Sequence, residues 1–250
     1  MTKSRFRLFF PTLLSLVVCA VSARAELPII AKARAYLGTE AALKAVKSIH
    51  YLGALTAADP ADKTQVAIEI IFQAPFRQRI TATSGKGVEI TALDNYDAWQ
   101  RTQEPKDPAR WSLQLLGKDQ IKRLRANTWQ NLAFFRGIER EGGKVVDQGA
   151  VTLDGVACRK IAFMHSDAIV FTRYFDQATG RLVLTETESG GSIREQGEIM
   201  VNGVRFPKTI TNTSKLPDGG TQQINITFSK ITLNETFPDS LFAIPSLSTK

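Results

Sequence analysis

From Ile49 onward the apolar residues fall two apart. Val66, Ile68 and Ile70 alternate with Ala67 and Glu69; Ile80 and Ala82 alternate with Arg79 and Thr81; Val88, Ile90 and Ala92 alternate with Glu89 and Thr91. This period predicts half-buried antiparallel strands. Further on, Asp154-Gly155, Asn202-Gly203 and Asp218-Gly219 are two-residue turn signals, and Ala178-Thr179-Gly180 is a longer one. Between them the pattern predicts strands over 156–164, 169–175, 181–188, 193–200, 204–211 and 221–233. In the last, Ile224, Ile226 and Phe228 share a parity that Ile231 and Leu233 reverse, which predicts a bulge or a strand end near Ser229. The total is roughly ten or eleven strands.

Two stretches have a helical period instead. Ile30, Ala33 and Leu37 mark a helix from Pro28 to Leu37, with proline in the first turn and Gly38 at its end. Thr39 caps a second short helix running to about Lys47. Over Lys118–Phe135, the residues Ile121, Leu124, Leu132 and Phe135 share one face, with Thr128 in the gap and Lys118, Lys122 and Arg125 around the remainder. That face either packs on the sheet or meets a membrane surface. There is no βαβ alternation and no Pro/Gly/Ser-rich linker, so residues 26–250 read as one domain. The expected class is mainly β (α+β): a single, strongly curved antiparallel sheet, with the helices closing over its apolar face.

The N-terminus changes the charge picture. Lys3, Arg5 and Arg7 precede an apolar stretch from Leu8 to Val21, and Ala23-Arg24-Ala25 supplies a small-x-small cleavage pattern. This predicts a signal peptide over 1–25 that is cleaved before Glu26. As a helix the stretch would span about 21 Å at ~1.5 Å per residue, short of a ~30 Å bilayer core. Cys19 follows Val18 rather than a small residue, which disfavours lipid attachment. The expected product is soluble, not lipid-anchored, and periplasmic. Loss of residues 1–25 removes four basic residues and no acid, reducing the formal charge of +8 to 28 basic against 24 acidic residues. No basic run remains, so nucleic acid is not an expected partner. One thiol, Cys158, is left, and it reads as a small buried hydrophobe.

Catalytic motifs are absent. No Gly-x-Ser-x-Gly, His-Glu-x-x-His, phosphate-binding glycine loop or EF-hand occurs, and two His and two Cys are poor material for a metal site. The chain therefore reads as a non-enzyme with no cofactor and no metal. His165-Ser166-Asp167 is read as a turn, and the pairs Glu186/Glu188 and Glu195/Glu198 as a solvated outer face. Trp99, Trp111, Trp129, Phe134 and Phe135 serve either as core or as walls of an apolar cavity.

Several segments, in order, carry a resemblance: Tyr36-Leu37-Gly38-Thr39-Glu40-Ala41-Ala42-Leu43 leading to Ile49-His50-Tyr51-Leu52-Gly53; Asp94-Asn95-Tyr96-Asp97-Ala98-Trp99; Leu153-Asp154-Gly155-Val156; Phe175-Asp176 to Thr179-Gly180-Arg181-Leu182; Val201-Asn202-Gly203-Val204-Arg205-Phe206-Pro207; and Leu233-Asn234-Glu235 to Leu241-Phe242-Ala243-Ile244-Pro245. In these the chain resembles the LolA/LolB-like periplasmic carriers, most closely the outer membrane lipoprotein-sorting group. The resemblance implies an incomplete β-barrel of about eleven strands with helices inserted as a lid. It also implies a hollow that holds acyl chains of lipoproteins or other lipids during transit between inner and outer membrane. An inner-membrane export complex and an outer-membrane acceptor would be the partners of a monomer. A lipid-binding sensor domain on the same fold, without transport, is the alternative. Some members of that family use a buried Arg to latch the lid helices, and the residues of this chain do not fix a place for one. The expected cavity lining is Val66, Ile68, Ile70, Ile80, Ile90, Trp99, Phe163 and Phe171, with Ile121, Leu124 and Leu132 of the helix above.

Overall fold

A computed structural model describes residues 26–58, 64–107, 109–216 and 218–246. The expected signal peptide and Cys19 lie outside the described residues. The chain begins with α1 (Pro28–Leu37) and α2 (Glu40–Ala45). Thr39 caps α2 as expected, its Oγ1 accepting from the Ala42 N–H at 3.2 Å. Five strands follow that pair in sequence with their neighbours: β1 (Ser48–Ala57), β2 (Gln65–Gln73), β3 (Arg77–Ser84), β4 (Gly87–Asp94) and β5 (Asp97–Gln103). Then come β6 (Trp111–Leu115) and α3 (Lys118–Leu132). After a 3-10 turn at Ile138–Glu141 lie β7 (Lys144–Leu153), β8 (Val156–Ser166), β9 (Ile169–Asp176), β10 (Leu182–Thr187) and β11 (Ser192–Gln196). The last strands are β12 (Ile199–Val201), β13 (Val204–Phe206), β14 (Thr209–Lys215) and β15 (Thr221–Leu233).

Thirteen strands form one antiparallel sheet in the order β6-β5-β4-β3-β2-β1-β15-β14-β11-β10-β9-β8-β7, and β12-β13 form a separate ribbon. The sheet does not close: β6 and β7 are its edges. Its curvature follows from one helix touching both halves. Thr128 of α3 donates to Gln78 of β3 at 3.3 Å, and Trp129, the next residue, lies 6.2 Å from the Phe163 ring of β8. Strands β3 and β8 are eight positions apart in the sheet order. At ~4.8 Å per strand a flat sheet would separate them by roughly 38 Å, far beyond the ~10 Å width of a helix. The sheet must curl round α3.

The strand count exceeds the expected eleven for local reasons. Expected strands 193–200 and 204–211 are each broken, the first at Gly197 (φ +63°) and the second at Pro207, which has no N–H to give the ladder. The edge strands β6 and β7 and the strand β5 carry no clean apolar alternation, and the two edges are largely exposed. Of the bulge or strand end expected near Ser229, the bulge is present: Leu52 pairs with Lys230 and Gly53 with Phe228, leaving Ser229 unopposed. Gly53 allows the close approach there, since a Cβ on it would lie 2.4 Å from the Thr227 carbonyl oxygen. The turns at Asp154-Gly155 and Asn202-Gly203 have φ of +49° and +79°, and +49° and +78°, the left-handed pairs of a type I′ hairpin.

Helix α3 ends sooner than its pattern predicts. Phe134 and Phe135 adopt φ of +46° and +70°, a conformation costly for non-glycine residues. The turn drives both rings inward. Phe135 packs on Phe175 at 5.0 Å and on Phe163 at 6.2 Å. The buried residues of α3 are Ala126, Thr128, Trp129 and Gln130, all in its C-terminal half, while Ile121, Leu124 and Leu132 are only half-buried. The helix is thus anchored by one end rather than along an even apolar stripe.

Candidate functional site

Cross-strand register defines the inner face of the sheet. Ile80 pairs with Ile70, and Ile70 with Tyr51. On the other half, Arg173 pairs with Thr185, Thr185 with Ile193 and Ile193 with Asn212, while Glu195 pairs with Ile210 and Ile210 with Ile226. Directly opposed residues share a face, and these side chains line a cavity of about 510 Å³. The helices supply a further wall, with Ala33, Tyr36 and Leu37 from α1, Asn127, Gln130 and Asn131 from α3, and Phe134 and Phe135 after it, and Arg181 and Arg205 also line the cavity. Such a volume is within the ~300–1,000 Å³ range of small-ligand sites.

Of the residues expected to line the cavity, Ile70, Ile80 and Phe171 do so. Phe163 is fully buried behind the wall, against Trp129 and Phe135. Val66 and Ile68 share the parity of Ile70 but lie beyond the cavity along β2. Ile121, Leu124 and Leu132 are not on its surface. Ile90 and Trp99 are on the opposite face of the sheet. Ile80 pairs with Thr91, so Ile90 belongs to the other parity, with Ala92 and its partner Trp99. These form their own small cluster, and the indole N–H of Trp99 donates to the Phe242 carbonyl at 2.8 Å. The C-terminal segment covers this patch of the outer face, so apolar alternation there marks burial on the convex side.

Two charged residues that the pattern placed in solvent, or did not single out, lie inside. Glu195 lines the cavity rather than a solvated outer face. Desolvation pushes its carboxyl above the usual carboxylate range, against the pull of Arg173. Arg173 is 6% exposed, its guanidinium 4.6 Å from the Phe135 ring centroid and 5.1 Å from that of Phe163. Its Nε and Nη1 are enclosed with no hydrogen-bond partner, and burial lowers its pKa to about 10. A signal existed in the sequence: Arg173 has the parity of Phe171 and Phe175, the apolar face of its strand.

A second buried arginine organises the helices. Arg34 of α1 donates from Nη1 to the carbonyls of Phe134 at 2.5 Å and Ala133 at 3.3 Å, and from Nε and Nη2 to both oxygens of Glu40 at 2.7 and 2.9 Å. It joins α1, α2 and the strained end of α3 at the cavity margin. Helix α1 also rests on the turn between β9 and β10, where Lys32 donates to the Gln177 carbonyl at 2.7 Å. Gly180 in that turn has φ +81°, and a Cβ there would lie 2.6 Å from the Lys32 carbonyl carbon. At the rim, Tyr36 and Arg205 both donate to the Glu198 carboxylate.

His165 is a strand residue rather than a turn residue. It is half-buried, 5.2 Å from the Trp129 ring and 5.8 Å from that of Phe171. Gln130 Nε2 donates to its Nε2 at 2.6 Å, which requires a neutral ring protonated at Nδ1. Desolvation and the nearby Arg173 lower its pKa from 6.5 to about 4. Because the unfolded chain binds the proton more readily, this site's contribution to stability is complete above pH 6.5 and is lost as pH falls from 6.5 to about 4. Thermal melts of wild type and His165→Gln across that window should show a shallower acid loss in the variant. Equal slopes would place the acid sensitivity elsewhere.

No group of three or more His, Cys, Asp or Glu able to hold a metal occurs among the described residues, and no helix among them is long and apolar enough to cross a membrane. No family model and no characterised protein sequence matches the chain. Solved structures do. A structure described as an outer membrane lipoprotein-sorting protein domain from Vibrio parahaemolyticus superposes with a TM-score of 0.54 at 8% identity, covering 86% of this chain and 94% of that one. A LolA superfamily protein from Nitrosomonas europaea gives 0.56 at 13% identity, covering 86% and 96%. A DUF1329 family protein from Desulfovibrio piger gives 0.55 at 6%, covering 86% and 95%. At these identities the likeness is one of fold: the chain has the open, helix-plugged antiparallel barrel of the LolA-like proteins.

Proposed function

We propose that this protein is a periplasmic carrier that shelters an acyl chain of a lipoprotein or another lipid in the cavity between sheet and helices. The observation that carries the reading is the cavity itself, walled by Ile70, Ile80, Ile210, Ile226, Phe134 and Phe228 under helices that do not seal it. Burying alkyl chain gains ~0.8 kcal/mol per CH₂, so a sixteen-carbon chain gains about 12 kcal/mol before the costs of association. An open sheet with a helix pinned by polar contacts admits and releases such a chain more readily than a closed barrel. Export rests on the signal-peptide pattern over 1–25, and passage between the two membranes on the fold it shares with lipoprotein-sorting proteins.

The test is titration of the delipidated protein with a fluorescent fatty-acid probe, beside Ile226→Trp, which fills the cavity from its β15 wall. Saturable binding by wild type, weakened roughly tenfold or more in Ile226→Trp, is the expected result. A wild-type protein that neither enhances nor shifts the probe's emission would end the carrier reading.

A further inference from the structure

The cavity wall holds a buried guanidinium with donors that meet no acceptor among the described residues. Arg173 is buried, its Nε and Nη1 have no hydrogen-bond partner, and its guanidinium lies close to the rings of Phe135 and Phe163. By contrast Arg34, the other buried arginine, is fully engaged by two carbonyls and Glu40. An enclosed guanidinium left without acceptors is costly, and a planar fork of donors is matched by a carboxylate. Resting on the carrier reading, we propose that Arg173 receives the head group of the cargo: the cavity takes a single-chain amphiphile with a carboxylate head, seated inward on Arg173, with its tail along Ile210, Ile226, Ile70 and Ile80.

Three features favour this ligand. Arg173 stands on β9, and Ile210, Ile226, Ile70 and Ile80 lie on β14, β15, β2 and β3, so head and tail have separate places along one surface. Three arginines line the cavity, but Arg181 is exposed and Arg205 is paired with Glu198, so Arg173 is the one buried positive charge; Glu195 lines the same cavity. A singly charged head adds the least negative charge to a desolvated site that already holds Glu195, whereas a doubly charged phosphate would add twice as much. Finally, about 510 Å³ is the scale of one small ligand.

The experiment compares laurate with lauryl alcohol, which share a tail and differ only in the head. Binding of each to the delipidated full-length mature chain is measured by calorimetry at neutral pH for wild type, Arg173→Met and Arg173→Lys. A charge-assisted pair predicts that wild type prefers laurate by roughly 10- to 100-fold. Arg173→Met should lose that preference, and Arg173→Lys should keep part of it. Equal binding of the two amphiphiles by wild type, or a preference undiminished in Arg173→Met, would overturn the head-group assignment while leaving the carrier reading intact. If neither amphiphile binds wild type, both readings fall. Should Arg173→Met not fold, the wild-type ratio and Arg173→Lys decide the matter alone.

Discussion

Trp129→Ala is expected to lower the stability of the folded protein by about 3–5 kcal/mol, the range for emptying a large aromatic from a core. Trp129 is 7% exposed and packs in one cluster with Phe163, Phe135, Phe171 and Ile161. Its loss would also expose the Gln130–His165 hydrogen bond beside it. Urea unfolding followed by far-UV circular dichroism measures the effect: the midpoint should fall steeply with the slope unchanged. A midpoint close to that of wild type would mean that this end of α3 is not core. The prediction bears on mechanism. If the C-terminal half of α3 is built into the core, cargo cannot enter by lifting the whole helix. Opening would instead involve α1, which buries only Ile30, Ala33 and Arg34, together with the exposed N-terminal half of α3.

What could be read from the sequence, and what could not, divides along physical lines. Helix α1 was legible from Pro28 to Leu37 because proline and Gly38 punctuate both ends. The parity switch at Ser229 was legible as a bulge or a strand end, and the unbroken pairing of β1 with β15 on both sides of it makes it a bulge. Strands β6 and β7 were not: an edge strand is paired on one side only and has little apolar face to show. Ile90 and Trp99 were placed on the wrong face because alternation reports that one face is buried without saying which. Here the segment at Phe242 buries the outer one. Arg173 and Glu195 escaped for the opposite reason. A charged residue within an alternating strand is normally a solvent-facing one, and only a cavity makes the exception worth its desolvation. The same logic explains why the fold was the more readable part: it rests on many repeated positions, and the site on a few irregular ones.

Arg34→Met is expected to destabilise the protein by roughly 2–4 kcal/mol, because it leaves the buried carbonyls of Phe134 and Ala133 without a donor and releases the strained turn they hold. Glu40 is less affected, since its side chain is 45% exposed and Arg136 still donates to it at 2.8 Å. The pair with Arg34 nevertheless gives the effect a pH signature. Arg34 is the largest influence holding the Glu40 carboxyl at about 2, against an ordinary value of 4.5. A depressed acid contributes its full stability above the unfolded value and loses it as pH falls through the folded one. The gap between wild type and Arg34→Met should therefore be constant near neutrality and narrow from pH 4.5 down to about 2. It should not close, because the carbonyl bonds do not titrate, and solvent screening at Glu40 keeps the titrating share small. Urea titrations of both proteins at several pH values measure the gap. A gap near zero at neutral pH would show that Arg34 holds nothing together. The same variant tests how the cavity opens: with α1 untied from the end of α3, laurate should associate and dissociate faster in stopped-flow mixing. Unchanged rates would place the gate away from α1.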